Sequence, residues 1–575
     1  MRYRTLNDLA HYIISSLSTR TILPKFILSQ VNVHGDDIPT PRTLKQLHVM
    51  QVRALIVGLG HHARRVYLPA FSAPGLRAKL VLGVDLKSQE KSIDSFLKEK
   101  GFSGMEMVYV EAFNVLCWTR NLPPAVDQLL TSEIQRLRIN AMVISADPLV
   151  HMVYALWGLQ RGLHILMDKP ISTRLDAACS VEAARGIWAD FEELVRVQEV
   201  KLALGQSLIV SVAAQRRYHE GFQYVCDLIE EVSSEYQQPV TNIQSYHSDG
   251  QLRLPEEMKN ITYHSFNQGH GKISHSGYHF IDMLVEFYKA GTKSIRDPQK
   301  VASRASVSCV GVRPQSVFRL QTHEDWSRVL PGYHEQLKYE ARNLMAEFQG
   351  SYGEVDAQIQ VVFQDENMEP LALGNINLIH NGFSRRCWLE PSVDLYKKNG
   401  RVKHELHIIQ QGPYQCIHIH SYQANDNHDN QVPADEAFSV GGDMHFDIII
   451  FRNVGIFRNK LQPVMRKVSL EQILALNRGT SLSTGLDGQS SLKLPSEVAK
   501  QHLVNEFVCA VGSGERCKLL SELHSHADAV RLMSCAYESL AVRKLGDRAI
   551  SPEVSLPLTM SRSTTKEFPG KIYMT

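Results

Sequence analysis

One stretch limits the fold of this chain more than any other: "VRALIVGLGHHARRVYLPAF", residues 52–71. A short apolar run rich in β-branched residues passes through a glycine-punctuated turn into a helical pattern. A second apolar run, "AKLVLGVDLKS", follows and carries Asp85 near its end. Beyond a polar helical stretch, "INAMVISADPLVHMVYALWGLQRGLHILMDKP" reads as strand, loop, amphipathic helix and strand again. Strands that alternate with helices pair in parallel through crossover helices, so the pattern predicts a doubly wound α/β sheet.

The glycine run itself is Gly58-Leu59-Gly60-His61-His62-Ala63, a G-x-G-x-x-A pattern between a strand and a helix. Glycines there permit a tight turn and the close approach of a pyrophosphate. Asp85 falls at the separation of roughly 20 residues where a carboxylate accepts hydrogen bonds from a ribose 2′-hydroxyl and repels a 2′-phosphate. That favours NAD, and Lys87 close by leaves NADP open.

The second half has another character. "EVDAQIQVVFQD", "LALGNINLIHNG", "RVKHELHIIQQG" and "QCIHIHSYQ" are strand-like runs with partial alternation and few helices between them, which predicts a largely antiparallel sheet. "SEVAKQHLVNEFVCAVGSGE" and "SHADAVRLMSCAYESLAVRKLG" return to helical spacing. "NRGTSLSTGLDGQSS" has the composition of a mobile loop. The expected organisation is an N-terminal extension over 1–50, a dinucleotide-binding domain over 51–214, an α+β domain over 215–550 and a tail over 551–575.

Several motifs in this order resemble the Gfo/Idh/MocA oxidoreductase family over most of residues 51–550. The glycine loop is one. "ISADPLVH", with Ser145, Asp147 and His151, resembles the family's Ser-Thr/Ala-x-Pro loop and its histidine. Asp168-Lys169-Pro170 resembles Glu-Lys-Pro, and "QRRYHEGF" is similar to Asn-x-Arg-Phe. "GHGKISHSGYHFIDML" resembles the glycine-rich D-x-G-x-H-x-x-D stretch, with His275 at the aspartate position and Gly277, His279 and Asp282 in register.

The resemblance implies an NAD(P)-dependent oxidoreductase acting on a hydroxyl or carbonyl of a sugar, cyclitol or related polar metabolite. Its catalytic residues would be Lys169, stabilising an alkoxide, His279 as general base, and His275. Cofactor contacts would come from Gly58, Gly60, His61, His62, Ala63, Asp85, Ser145, Asp147, His151, Asp168 and Lys169, and substrate contacts from Arg217 and Asp282. A redox-neutral NAD-dependent glycosidase and a non-catalytic dinucleotide-binding regulator share the fold and stand as alternatives. Relatives pair through the open face of the large sheet, which implies a homodimer or homotetramer.

Composition narrows the partners. A net charge of +2 points to no nucleic acid or anionic membrane. The nine cysteines include no C-x-x-C pair, as in a reducing compartment. With neither a secretory leader nor a span-length apolar run, the expected location is the cytoplasm. His275 and His279 are four apart and share one face if helical, a spacing that also suits zinc, but a pocket lining is the simpler reading and no metal is expected. His418 and His420, with His428 beyond, read as a wetted sheet face.

Overall fold

A computed structural model describes residues 51–102, 104–115, 120–251, 255–260, 264–320, 322–329, 348–381, 401–425, 445–457, 464–480, 495–515, 519–544 and 554–557, all within one unit spanning Met50–Thr575. The expected extension over 1–50, His428 and most of the glycine- and serine-rich loop lie outside the described residues. That loop's first residues end a helix, Leu470–Thr480.

Six strands build the first sheet: β1 (Val52–Val57), β2 (Ala78–Leu86), β3 (Glu106–Val110), β4 (Ala141–Ile144), β5 (His164–Met167) and β6 (Val210–Val212). Their order is β3-β2-β1-β4-β5-β6, and every pair is parallel. The central strands read as unbroken apolar runs because both faces are covered. Leu55, Met142 and Ile165 pack against Leu130, Trp157 and Phe191 on one side. Ala54, Ile56, Val143 and Leu166 face Tyr67 and Phe71 on the other. Side chains of this size contribute roughly 1.5–3 kcal/mol each when fully buried.

The helices that matter to the site are α1 (His61–Arg65), α2 (Tyr67–Phe71), α3 (Glu90–Lys100), α4 (Pro124–Arg136), α5 (His151–Gln160) and α6 (Val181–Ala203). Trp157 is buried in α5, and its indole N–H donates to Asp127 of α4 at 3.0 Å. Ser180 caps α6 by accepting from Ala183 N at 3.2 Å.

After the turn Gln215–Tyr218 and helix α7 (Glu220–Tyr236), the chain enters a nine-stranded sheet. Its strands are β7 (Asn242–Gln251), β8 (Arg304–Val312), β9 (Asp356–Gln364), β10 (Pro370–Asn381), β11 (Arg401–Gln411), β12 (Gln415–Asn425), β13 (His445–Arg452), β14 (Met465–Ser469) and β15 (Val554–Pro557). The order is β14-β13-β12-β11-β7-β10-β9-β8-β15, antiparallel except for β7 with β10. In β9, Ala357, Ile359, Val361 and Phe363 point inward while Gln358 and Gln360 face solvent, the period of two that one buried face requires. Helix α8 (Tyr278–Thr292) packs on the inner face and continues a π-helical turn, Ile273–Gly277.

Chain order and spatial order part company at the C-terminus. Helix α9 (Pro495–Ser513) lays Val504, Phe507 and Val511 on the first sheet beside Ile56 and Phe71. Helix α10 (Ala527–Lys544) packs between α6 and β8. Within the expected tail over 551–575, β15 pairs with β8 as an edge strand. A sequence read in linear blocks cannot show such a return.

Candidate functional site

The site lies at the carboxyl ends of β1, β4 and β5, where the strand order reverses and the loops diverge to opposite faces. Gly58 follows β1 with φ +86°, and a Cβ there would lie 2.6 Å from the Ser145 carbonyl. No L side chain fits that position. Gly60 is different: a Cβ built there meets nothing within 4 Å, so the loop keeps open space on that side. Ala63 is buried behind it, against the sheet.

Asp85 closes the loop from β2. Its Oδ2 accepts from Leu59 N at 2.6 Å and its Oδ1 from Leu86 N at 2.7 Å, which leaves further lone pairs for ribose hydroxyls. Lys87 is paired with Glu90 at 2.7 Å. His61 is exposed, whereas His62 turns inward, with Nε2 3.5 Å from Asp168 Oδ1. Burial holds His62 neutral, with its pKa lowered to about 4.

Asp168 knits three elements together. It accepts from Tyr67 Oη of α2 and from Ser145 Oγ after β4, the latter at 2.8 Å. Ser145 and Asp168 therefore hold the strand ends to each other. Asp147 caps the following turn by accepting from Leu149 N at 2.9 Å. His151 is fully buried, with Nδ1 2.8 Å from the Pro170 carbonyl and Nε2 3.1 Å from the Ala146 carbonyl. Both ring nitrogens of His151, expected at the cofactor, brace the two loops.

Lys169 follows directly. The Lys169–Pro170 peptide is cis, and the ammonium donates to the His275 carbonyl. Burial pulls its pKa down to about 8; Asp168 and Asp249 oppose that fall, while Arg216 and Lys272 add to it. His275 lies in the π-helical turn, its ring 4.8 Å from that of His264, 5.0 Å from Phe266 and 5.6 Å from His270. His279 begins α8. Burial and the nearby Arg216, Lys169 and Lys403 charges keep it neutral, far below the ordinary histidine range. His275 Nε2 and His279 Nδ1 have no hydrogen-bond partner among the described residues.

Arg217 and Asp282 are brought together, but with each other. The pair is bidentate, at 2.9 and 2.6 Å, and both side chains are buried. Ser525 Oγ accepts from Arg217 at 2.7 Å, and His526 lies 3.3 Å from Asp282. The polar atoms of these two residues, expected at the substrate, are engaged in an internal clamp between α8 and the C-terminal segment. The neighbouring Arg216 takes the other direction, pairing with Glu405 of β11 at 2.9 and 2.7 Å and lying 4.6 Å over the Phe280 ring. The two adjacent arginines thus diverge from a 3-10 turn.

Sequence reasoning missed the sheet's contribution. His247 and Asp249 of β7, His380 of β10 and Glu405 and His407 of β11 are all largely buried, on the face that α8 covers. The one available signal was period-two alternation in "IQSYHSDG", and alternation alone cannot distinguish a buried polar face from a wet one.

Residues 52–201 match the model of a family described as the Gfo/Idh/MocA oxidoreductases, NAD-binding Rossmann fold. The match runs from β1 into the last turn of α6. No curated protein matches the chain in sequence. Solved structures that superpose on it include an oxidoreductase from Agrobacterium radiobacter in complex with NAD+, L-tartaric acid and magnesium (11% identity, 88% of this chain and 98% of that one, TM-score 0.49). A levoglucosan dehydrogenase in complex with NADH and levoglucosan is another (12% identity, 88% and 99%, TM-score 0.49). So is the WlbA dehydrogenase from Bordetella pertussis in complex with NADH and UDP-GlcNAcA (13% identity, 88% and 98%, TM-score 0.47). At these identities and scores they carry no inference about this chain's substrate.

The glycine loop suits a dinucleotide. A Cβ at Gly60 would meet nothing within 4 Å, which is room a pyrophosphate would need, and Asp85 faces the loop with acceptor capacity to spare. With Lys87 engaged by Glu90, no cation is set aside for a 2′-phosphate at that position. The protein is expected to bind NAD at least about tenfold more tightly than NADP, and Asp85→Ser should narrow the gap. Calorimetric titration with both dinucleotides checks this; equal affinities for the unmodified protein would remove Asp85 from the ribose site.

Proposed function

We propose that the chain is an NAD-dependent oxidoreductase that interconverts a hydroxyl and a carbonyl on a sugar, cyclitol or similar polar metabolite. The observation that carries this reading is Lys169, a lysine softened to about 8 at the end of β5, beside neutral imidazoles with unpartnered nitrogens. NAD, when bound, supplies the hydride acceptor, or the donor in reverse.

The chain's own groups divide the proton work by basicity. His279 is held too far below neutrality to keep a proton, so its part is to take a hydrogen bond from the substrate hydroxyl. Lys169 is the stronger base. As an amine it accepts the hydroxyl proton, and as an ammonium it stabilises the alkoxide oxygen. The His275 carbonyl holds the Lys169 ammonium in place, and the Ser145–Asp168 bond fixes the residue just before it.

Oxidation should therefore rise with pH as Lys169 loses its proton. From a midpoint of about 8, the amine fraction grows ~tenfold between about pH 7 and about pH 9. A pH–rate profile of NAD reduction checks this, and a flat profile across that window would exclude Lys169 as the base.

The outer face of the large sheet supports self-association. Its strands β8 to β10 expose Val310, Val312 and Leu373 among polar residues such as Gln358 and Gln360, a regular strand surface that a second copy can cover. We infer a homodimer or homotetramer built on this face. Light scattering at micromolar concentration tests it, and a monomer would count against it.

A further inference from the structure

Next to the turn whose carbonyl accepts from Lys169, the sheet places a largely buried ion pair to which no role has yet been given. Asp249 lies near the end of β7, with Oδ2 2.5 Å from Lys272 Nζ and 3.1 Å from His380 Nδ1. Its Oδ1 is 3.7 Å from His247 Nε2. Lys272 is fully buried and stands just before the π-helical turn, three residues ahead of the carbonyl that accepts from Lys169. Its backbone N–H is tied to the Glu354 carbonyl at 2.9 Å. Neither ring nitrogen of His247 has a hydrogen-bond partner among the described residues.

We propose that Asp249 and Lys272 are positioning residues for Lys169, presenting opposed charges to it from the sheet and from the turn that carries His275. The inference rests on the oxidoreductase reading and adds two residues to its machinery. Burying a carboxylate and an ammonium carries a desolvation cost, and well-packed apolar residues serve stability at least as well. A fold that only needed to cover α8 would place an apolar pair here, as β9 does with Ile359 and Val361. The charges reach Lys169: Asp249 favours its protonated form and Lys272 disfavours it. Asp249 itself stays ionised, held well below the usual carboxylate range by Lys272 and His380 against the cost of burial.

Lys169 also faces Asp168 on its own strand, His62 from the glycine loop, Arg216 from the 215–218 turn, and His275 and His279 from the turn and α8. The three imidazoles are neutral at physiological pH, and Arg216 is matched by Glu405. The Asp249–Lys272 pair is thus the adjustable part of the field.

The test reads the protonation of Lys169 directly and needs no substrate. Full-length protein saturated with NAD is labelled competitively with acetic anhydride across pH, and the labelling midpoint of Lys169 is obtained by peptide mass spectrometry. Asp249→Asn should move that midpoint down by about one pH unit or more, and Lys272→Gln should move it up. Opposite displacements are the signature, because general loosening of the fold would shift both variants the same way, toward the value of a solvated lysine. If Lys272→Gln does not fold, Asp249→Asn and Asp249→Glu decide, with Glu expected to restore the midpoint. Displacements in the same direction, or none, would overturn the proposal. The oxidoreductase reading fails separately, through unchanged hydride transfer in Lys169→Ala, whatever these midpoints do.

Discussion

Lys169→Ala should bind NAD as well as the unmodified protein does and lose at least about two orders of magnitude in single-turnover hydride transfer. The amine is the strongest base among the neutral and softened groups at the site, and it becomes the cation beside the alkoxide. Removing one preorganised electrostatic group from a water-poor site costs on the order of 100-fold or more in rate, and loss of a general base costs a similar factor. His279→Ala should lose less than Lys169→Ala, because a neutral imidazole that only accepts a hydrogen bond orients the hydroxyl without holding its proton. His275→Ala should matter least, since the Lys169 contact is to the backbone carbonyl of that residue and survives the change. Equal losses in the histidine and lysine variants would return the base role to His279.

Arg217→Met should cost stability and spare the reaction. Breaking a buried pair leaves the partner charge uncompensated, at about 3–5 kcal/mol. Here that partner is Asp282, whose carboxyl Arg217 and His526 hold well below the usual range. Urea unfolding should show a large fall in midpoint for Arg217→Met, and Arg217→Met/Asp282→Leu should recover much of it. The KM of the folded fraction should stay close to that of the unmodified protein. A raised KM at unchanged midpoint would place Arg217 at the substrate after all.

The nucleotide-binding half was legible because its physics is local. A strand buried on both faces must be an apolar run, and a turn as tight as Gly58 must be glycine. The Asp85 carboxylate follows from the same short unit, and the four strand-like runs of the second half appear as β9 to β12. What stayed hidden depends on pairing between distant segments. The parallel contact of β7 with β10 has no sequence period of its own. The return of α9 to the first sheet crosses about 300 residues of chain, and an amphipathic helix does not name the surface it will cover. The pairing of Arg217 is silent in the sequence because nothing at positions 215–218 announces a carboxylate waiting on α8. The bracing by His151 is silent too, because a histidine in a loop does not show which carbonyls will face it. Asp249 and Lys272 were passed over for the same reason: their meaning is their distance from each other.

The most direct test of the central claim is the fate of a carbinol hydrogen. Full-length protein is mixed with NAD at about pH 9, where Lys169 is mostly amine. The substrates are sugars and cyclitols deuterated at their carbinol carbons, and the reduced cofactor is examined by mass spectrometry. The expected result is deuterium in the reduced nicotinamide with at least one of these compounds, and none when Lys169→Ala replaces the unmodified protein over the same time. Tight NAD binding with no reduced cofactor from any of them would contradict the claim and leave the chain a dinucleotide-binding protein without hydride chemistry on such hydroxyls.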